Sequence, residues 1–257
     1  MPEAFFHQGN GRGGVLLLHG FTGTPSEIEP LAAPLVAAGF TVLCLRLPGH
    51  GVAPPRDEPN DCVAWLADAE AGLLRLVDEG AGQPVALVGL SMGGLLALQL
   101  AARHPERVGR VVALAPALQV STQLSWIFWA LGLAYSILPA SLFERRMGKG
   151  ESNITDPEAR ASNPKSPPFM LRTFLSFDEL RLATRAIVGD VHQPILLLHG
   201  RLDTTVPLEG SDWFRGAVGS KQVEMRIFER SAHVLPIDRE RDEVAAEVAR
   251  FLSATPG

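Results

Sequence analysis

Cysteine is scarce in this chain. Cys44 and Cys62 are the two present among 257 residues, too few for a disulfide framework. That fits a reducing compartment or a fold that needs no staples. An excess of basic residues is also missing: 23 Lys and Arg stand against 28 Asp and Glu, a net charge of −5. With a pI near 5.8, the surface has no basic field for nucleic acid. The first residues, Met1-Pro2-Glu3-Ala4-Phe5-Phe6-His7, have neither a basic start nor a long apolar stretch, so no secretory leader is expected. Together these features point to a cytoplasmic protein. No HExxH string or paired Cys/His spacing occurs, so neither metal nor cofactor is expected. Internal repeats and low-complexity tails are absent too.

Charge is missing altogether from Val111 to Phe143. That run contributes to a positive mean hydropathy of +0.14 and is how a membrane helix can look. It divides at Pro116. Val111 to Ala115 reads as a strand, and Gln119, Ser121, Thr122, Gln123 and Ser125 make the next part polar. The uninterrupted remainder, Trp126 to Leu138, is about 13 residues, whereas a spanning helix needs ~20. No integral membrane segment is expected.

With 46% hydrophobic and 20% charged residues the chain is not disordered, and its length suits one large domain or one domain with an insertion. Short apolar runs alternate with helical patterns. The runs are Val15–Leu18, Thr41–Leu45, Val85–Leu90, Val108–Ala115, Ile195–Leu198 and Val223–Phe228. The helices read as Ser26–Ala38, Asp61–Asp78, Met92–Arg103, Leu208–Val218 and about Asp238–Leu252. The last carries Val244, Val248, Phe251 and Leu252 on one face, with Asp238 as its cap. This alternation predicts an α/β fold with a mostly parallel central sheet and helices on both faces. The runs are continuously apolar, as strands covered on both sides should be. Ligands in such sheets bind beyond the carboxyl ends of the strands. Attention therefore falls on His19-Gly20-Phe21, Ser91-Met92, Asp203 and His233.

Gly89-Leu90-Ser91-Met92-Gly93 sits between a strand and a helix, the context a G-x-S-x-G nucleophile elbow requires. A serine at so sharp a turn has strained backbone angles, and the two glycines remove side chains that would collide. A serine nucleophile needs a base oriented by a third group. Of seven histidines, His7 lies near the chain end, His104 ends a helix, and His192 precedes Pro194 in a loop. His19 and His199 close strands before glycines, where structural or oxyanion-loop roles are more usual, and His50 lies in a turn. His233 follows the last strand, where an imidazole can return over the serine. The acid should lie between serine and histidine in chain order. Asp203 follows a strand end. Asp190 precedes its strand, Asp212 falls in a helix, and Asp238 has a structural explanation.

Five segments together resemble the α/β-hydrolase superfamily, and especially small bacterial carboxylesterases and bacterial monoacylglycerol lipases. They are Leu16-Leu17-Leu18-His19-Gly20-Phe21-Thr22-Gly23, Leu47-Pro48-Gly49-His50-Gly51, Gly89-Leu90-Ser91-Met92-Gly93-Gly94, Gly200-Arg201-Leu202-Asp203 and Ser231-Ala232-His233-Val234. The resemblance implies Ser91 as nucleophile, His233 as base, Asp203 as orienting acid, and the backbone N–H groups of Phe21 and Met92 as the oxyanion hole. That esterase group often has glycine before the histidine; here it is Ala232. The resemblance also implies residues 1–117 and 181–257 as a hydrolase core and 118–180 as a lid. In that lid the larger share of the aromatic and aliphatic side chains would pack on the core. Trp126, Trp129 and Leu133 would line an acyl pocket. The expected substrate is a small, lipophilic carboxylic ester, with transient contact with a lipid surface and either a monomer or a homodimer. A thioesterase or acyltransferase could run on the same triad, and a fold-only binding protein is the alternative from another class. Relatives with an aspartate nucleophile are disfavoured by Ser91.

Overall fold

The computed structural model describes residues 4–51, 58–80, 82–148, 150–164 and 167–254. Met1 to Glu3, part of the segment read above for a leader, lie outside the described residues.

The elements in order are β1 (Phe5–His7), β2 (Gly14–Leu18), α1 (Ala32–Ala37), β3 (Thr41–Cys44), α2 (Cys62–Glu79), β4 (Val85–Leu90), α3 (Met92–Arg103) and β5 (Val108–Leu114). A long excursion follows, with α4 (Thr122–Ile137), β6 (Arg146–Met147), α5 (Pro157–Ser162), β7 (Phe169–Met170) and α6 (Leu171–Ile187). The chain returns through β8 (Ile195–Gly200), α7 (Glu209–Ala217), β9 (Val223–Phe228) and α8 (Arg241–Ser253). Seven strands form one sheet in the order β1-β3-β2-β4-β5-β8-β9. Every pairing is parallel except that of β1 with β3. β6 and β7 make a separate antiparallel ribbon.

Alternation along the strands divides the core in two. Leu16, Leu18, Leu87, Ala113 and Leu197 face a layer with Leu73 and Leu76 of α2, Leu95 and Leu96 of α3 and Phe214 of α7. Val15, Leu17, Val88, Val112 and Leu196 face Leu35 of α1 and Val244, Val248 and Phe251 of α8. Each fully buried Leu or Val contributes roughly 1.5–3 kcal/mol relative to an exposed one. The central strands are apolar on both faces for this reason. β9 alternates half-buried and exposed positions because it is an edge strand.

Two expectations about helix starts change. Ser26–Ala38 is not one helix: 3₁₀ turns at Pro25–Glu27 and Glu29–Leu31 precede the short α1. Pro30 has no N–H to donate back to Ser26, and its ring would strike that carbonyl in an α-helix. Pro34 is tolerated because it falls in the first turn of α1, where N–H groups have no intrahelical partner. Asp238 does not cap α8, whose N-cap is Glu240; its carboxylate is used elsewhere. By contrast, Asp61 does cap α2, accepting from the Ala64 N–H at 2.9 Å.

The uncharged run also behaves differently from the expectation. Its first part is β5, buried between β4 and β8. On α4, however, Phe128 is the buried residue. Phe128 packs on Phe174 and Phe177 of α6, whereas Trp126, Ile127, Trp129, Leu133, Tyr135 and Ile137 are exposed. The helix meets the body of the protein along one narrow line, so most of its apolar side chains do not pack down. Among the described residues, no helix is long and apolar enough to cross a membrane.

Candidate active site

Ser91 stands between β4 and α3 with φ +55° and ψ −112°, a left-handed backbone that side-chain-bearing residues rarely adopt. Two neighbours make it tolerable. A Cβ on Gly89 would overlap the backbone of Gly93, and one on Gly93 would overlap the Leu18 carbonyl. The Ser91 N–H donates to the Leu114 carbonyl at 2.8 Å, tying the turn to β5. Its side chain caps nothing, so the hydroxyl is not used by the helix behind it.

The His19-Gly20-Phe21 turn leaves β2 directly beside this serine. A Cβ on Gly20 would lie 3.3 Å from Ser91 Cβ. The turn is fixed by the Gly23 N–H bond to Gly20 O (3.0 Å) and by His19, whose Nε2 accepts the Leu47 N–H at 3.1 Å. With Nε2 as acceptor, Nδ1 carries the hydrogen and donates to Gly20 O at 2.9 Å. Phe21 stacks on Phe177 and meets His50 and Trp65 edge-on, which anchors its side chain among the aromatic residues beside the turn. Met92 is the first residue of α3, where a backbone N–H has no partner within the helix.

Asp203 lies in the loop after β8 and His233 in the loop after β9. His233 Nδ1 donates to Asp203 Oδ2 at 2.7 Å. Asp203 Oδ1 accepts the N–H groups of Thr205 (2.7 Å) and Val206 (2.9 Å). Burial pushes the Asp203 carboxyl upward, but the charge of His233 and hydrogen bonds from His199, His233 and Val206 outweigh it. The net effect holds the carboxyl well below the usual carboxylate range.

Ser91 and His233 line one cavity of about 240 Å3. The lining includes the apolar Leu90, Val120, Leu124, Phe174, Phe177 and Val206 and the polar Thr22, Glu27, Glu151, Ser152 and Asn153. Asn163 Nδ2 braces two of the polar residues, donating to Glu27 Oε1 (3.0 Å) and Ser152 Oγ (2.9 Å). Trp126, Trp129 and Leu133 do not line this cavity. They are 64%, 62% and 51% exposed, because α4 turns toward the cavity only near its start, at Leu124. The apolar wall comes instead from α6 and from the chain just after β5.

Sequence reasoning missed Asn153. Its backbone carbonyl accepts the N–H groups of His233 (3.1 Å) and Val234 (3.3 Å), and its side-chain oxygen accepts that of Thr204 (2.9 Å). Beside it, Asp238 gathers the N–H groups of Thr155, Asp156 and Ala232. Nothing in the spacing of Gly150 to Asp156 signals this role, since its partners lie more than 50 residues away. Among the described residues, no cluster of three His, Cys, Asp or Glu side chains could hold a metal.

The Hydrolase_4 family model, described as serine aminopeptidase, S33, matches residues 9–240. The chain belongs to this family. It is 28% identical over 252 residues to the thermostable monoacylglycerol lipase of Bacillus sp. (strain H-257), covering 98% of this chain and 95% of the relative. It is also 28% identical over 251 residues to a carboxylesterase of Bacillus subtilis (strain 168), covering 98% and 96%. One of the solved structures it resembles, from two metagenome-derived lipolytic enzymes, superposes with a TM-score of 0.83 at 27% identity, covering 98% of this chain and 97% of the other. The architecture of this Hydrolase_4 member is that of the α/β-hydrolases.

Proposed function

We propose that the protein is a carboxylic ester hydrolase that works through a serine acyl-enzyme. Full-length similarity to a monoacylglycerol lipase and a carboxylesterase supports the reaction class. The observation that carries the mechanism is the pairing of the buried Asp203 with His233, which lines the same cavity as the strained Ser91.

In this reading Ser91 Oγ attacks the ester carbonyl carbon while His233 Nε2 takes its proton. Asp203 holds the imidazole with its hydrogen on Nδ1 and stabilises the imidazolium. The Phe21 and Met92 N–H groups receive the oxyanion. The C–O bond to the alcohol then breaks as His233 protonates the leaving oxygen. Water, deprotonated by His233, releases the acid and restores the serine.

The mixed lining of the cavity supports a division of the substrate. The apolar side chains take the acyl group and the polar ones take the alcohol portion. At about 240 Å3 the cavity is smaller than the roughly 300–1,000 Å3 of pockets for drug-sized ligands, which favours a short to medium acyl chain. Residues 118–180 act as the lid, supplying Leu124, Asn153, Phe174 and Phe177 to the cavity. The exposed apolar side chains of α4 support transient docking on a lipid surface, with Arg145 and Arg146 following in the chain. Two free thiols, one of them buried, suit the cytoplasm.

The test is covalent labelling of Ser91 by a fluorophosphonate, with p-nitrophenyl esters of rising chain length compared with monoacylglycerols. Ser91→Ala should abolish labelling and lower kcat by roughly 10⁶-fold. Near-normal hydrolysis by that variant would remove the serine mechanism.

A further inference from the structure

We propose that His199 is a positioning residue for the reaction, holding the Asp203 carboxylate in the plane that His233 needs. This rests on the assignment of Ser91, Asp203 and His233 made above.

Asp203 meets four donors in two sets. Its Oδ1 is held by the Thr205 and Val206 N–H groups. Its Oδ2 faces two imidazoles, His233 Nδ1 at 2.7 Å and His199 Nε2 at 3.2 Å. His199 is the penultimate residue of β8 and is completely buried. Its Nε2 also lies 3.2 Å from the Val206 carbonyl oxygen, and its Nδ1 is 2.8 Å from Ser211 Oγ on α7. A carboxylate oxygen and a carbonyl oxygen are both acceptors. Nε2 therefore carries a hydrogen, and the Ser211 hydroxyl can donate to Nδ1.

His199 Nε2 donates to the Val206 carbonyl and at the same time approaches, at 3.2 Å, the Asp203 oxygen that His233 uses, a placement that filling space in the core does not require. With Oδ1 pinned by two backbone amides, the freedom left to the carboxylate is a tilt that swings Oδ2 away from His233. The His199 N–H opposes that tilt from the side of the sheet. The strand end is itself rigid: a Cβ on Gly200 would overlap the Ser231 and Ala232 carbonyls, so the segment from His199 to Asp203 is packed against the loop that carries His233. The two imidazoles and the carboxylate thus form one buried unit. His233 reaches the cavity, whereas His199 is absent from its lining.

The experiment compares His199→Leu, of similar bulk without a donor, with His199→Gln, whose amide nitrogen reaches the position of Nε2. On p-nitrophenyl butyrate, His199→Leu should lower kcat by about 10–100-fold, the loss typical when an outer hydrogen-bond partner is removed, with KM changed less than about twofold. His199→Gln should recover most of that loss. Unchanged kcat in His199→Leu, equal losses in the two variants, or a loss confined to KM would overturn the proposal. If His199→Leu does not fold, Ser211→Ala decides: it leaves the imidazole in place and should lower kcat about threefold or more without raising KM, and an unaltered kcat overturns the proposal. Fluorophosphonate labelling separates this failure from failure of the parent reading. No labelling of Ser91 in the parent removes the triad. Normal labelling in the parent and an equal rate in His199→Leu removes only the role of His199.

Discussion

Replacing Asp238 by alanine should destabilise the protein by about 3–5 kcal/mol, well beyond the usual effect of a single substitution. Its carboxylate accepts the N–H groups of Thr155 (3.0 Å), Asp156 (2.9 Å), Ala232 (2.8 Å) and Arg239 (2.8 Å), and the Thr155 hydroxyl at 2.6 Å. These do not add. Arg239 is exposed and Thr155 and Asp156 are half-buried, so water can replace much of what they lose. Ala232 is completely buried, and its stranded N–H costs roughly 1–3 kcal/mol. Loss of one charge-assisted tie to residue 155 adds about 1.5–3 kcal/mol. At roughly 2–4 °C per kcal/mol for a domain of this size, Tm should fall by about 6–20 °C. Asp238→Asn keeps one acceptor oxygen and should lose about half as much. The assay is thermal unfolding followed by circular dichroism, with kcat measured alongside, since Ala232 adjoins His233. A Tm change under about 2 °C at neutral pH would refute the reasoning. The pH dependence supplies a second check. Burial pushes the Asp238 carboxyl up, but the Thr155 hydroxyl and the backbone amides outweigh it and hold it low. Its stabilisation is therefore present above the unfolded aspartate value of about 3.9 and disappears as pH falls through the lower native value. The gap in Tm between parent and variant should stay constant from about pH 7 to 5 and narrow below about 4.

Gly93→Ala should yield no active enzyme, because the added methyl overlaps the Leu18 carbonyl on the neighbouring strand; wild-type esterase activity in that variant would contradict the tight elbow. Asp203→Asn should lower kcat by about 10⁴-fold, because the amide can favour the wrong tautomer of His233, and a loss of less than tenfold would argue against the assigned acid. Trp126→Ser combined with Trp129→Ser should reduce co-sedimentation with anionic phosphatidylglycerol vesicles several-fold, and equal sedimentation would refute docking through α4.

The parallel sheet was legible because strands covered on both sides leave continuous apolar runs, and Val85–Leu90 and Ile195–Leu198 carry that mark unambiguously. Chain order and position sufficed to single out Asp203 and His233, because the sheet sends strand ends to one edge, and the structure joins the two side chains by a hydrogen bond. The cavity wall was not. Trp126, Trp129 and Leu133 look like Phe174 and Phe177 in composition, and only the path of the chain decides which of them face inward. Periodicity also misread Ser26–Ala38, where the apolar spacing of a helix is present but Pro30 forbids its hydrogen bonds. Asn153 and Asp238 were hidden for another reason: both act on backbone amides, several of them from segments more than 50 residues away, and amides have no sequence signature.

Asn153 and Thr155 belong to the excursion between β5 and β8, yet they tie down the loops of both His233 and Asp203. That excursion is therefore a keystone between the two loops. Exchanging it wholesale for the corresponding segment of a relative, in the hope of altering substrate range alone, would also remove the brace between the two loops. A graft that begins after the stretch from Ser152 to Asp156 would keep that brace while changing the wall contributed by α6 and the Asn163 bonds to Glu27 and Ser152.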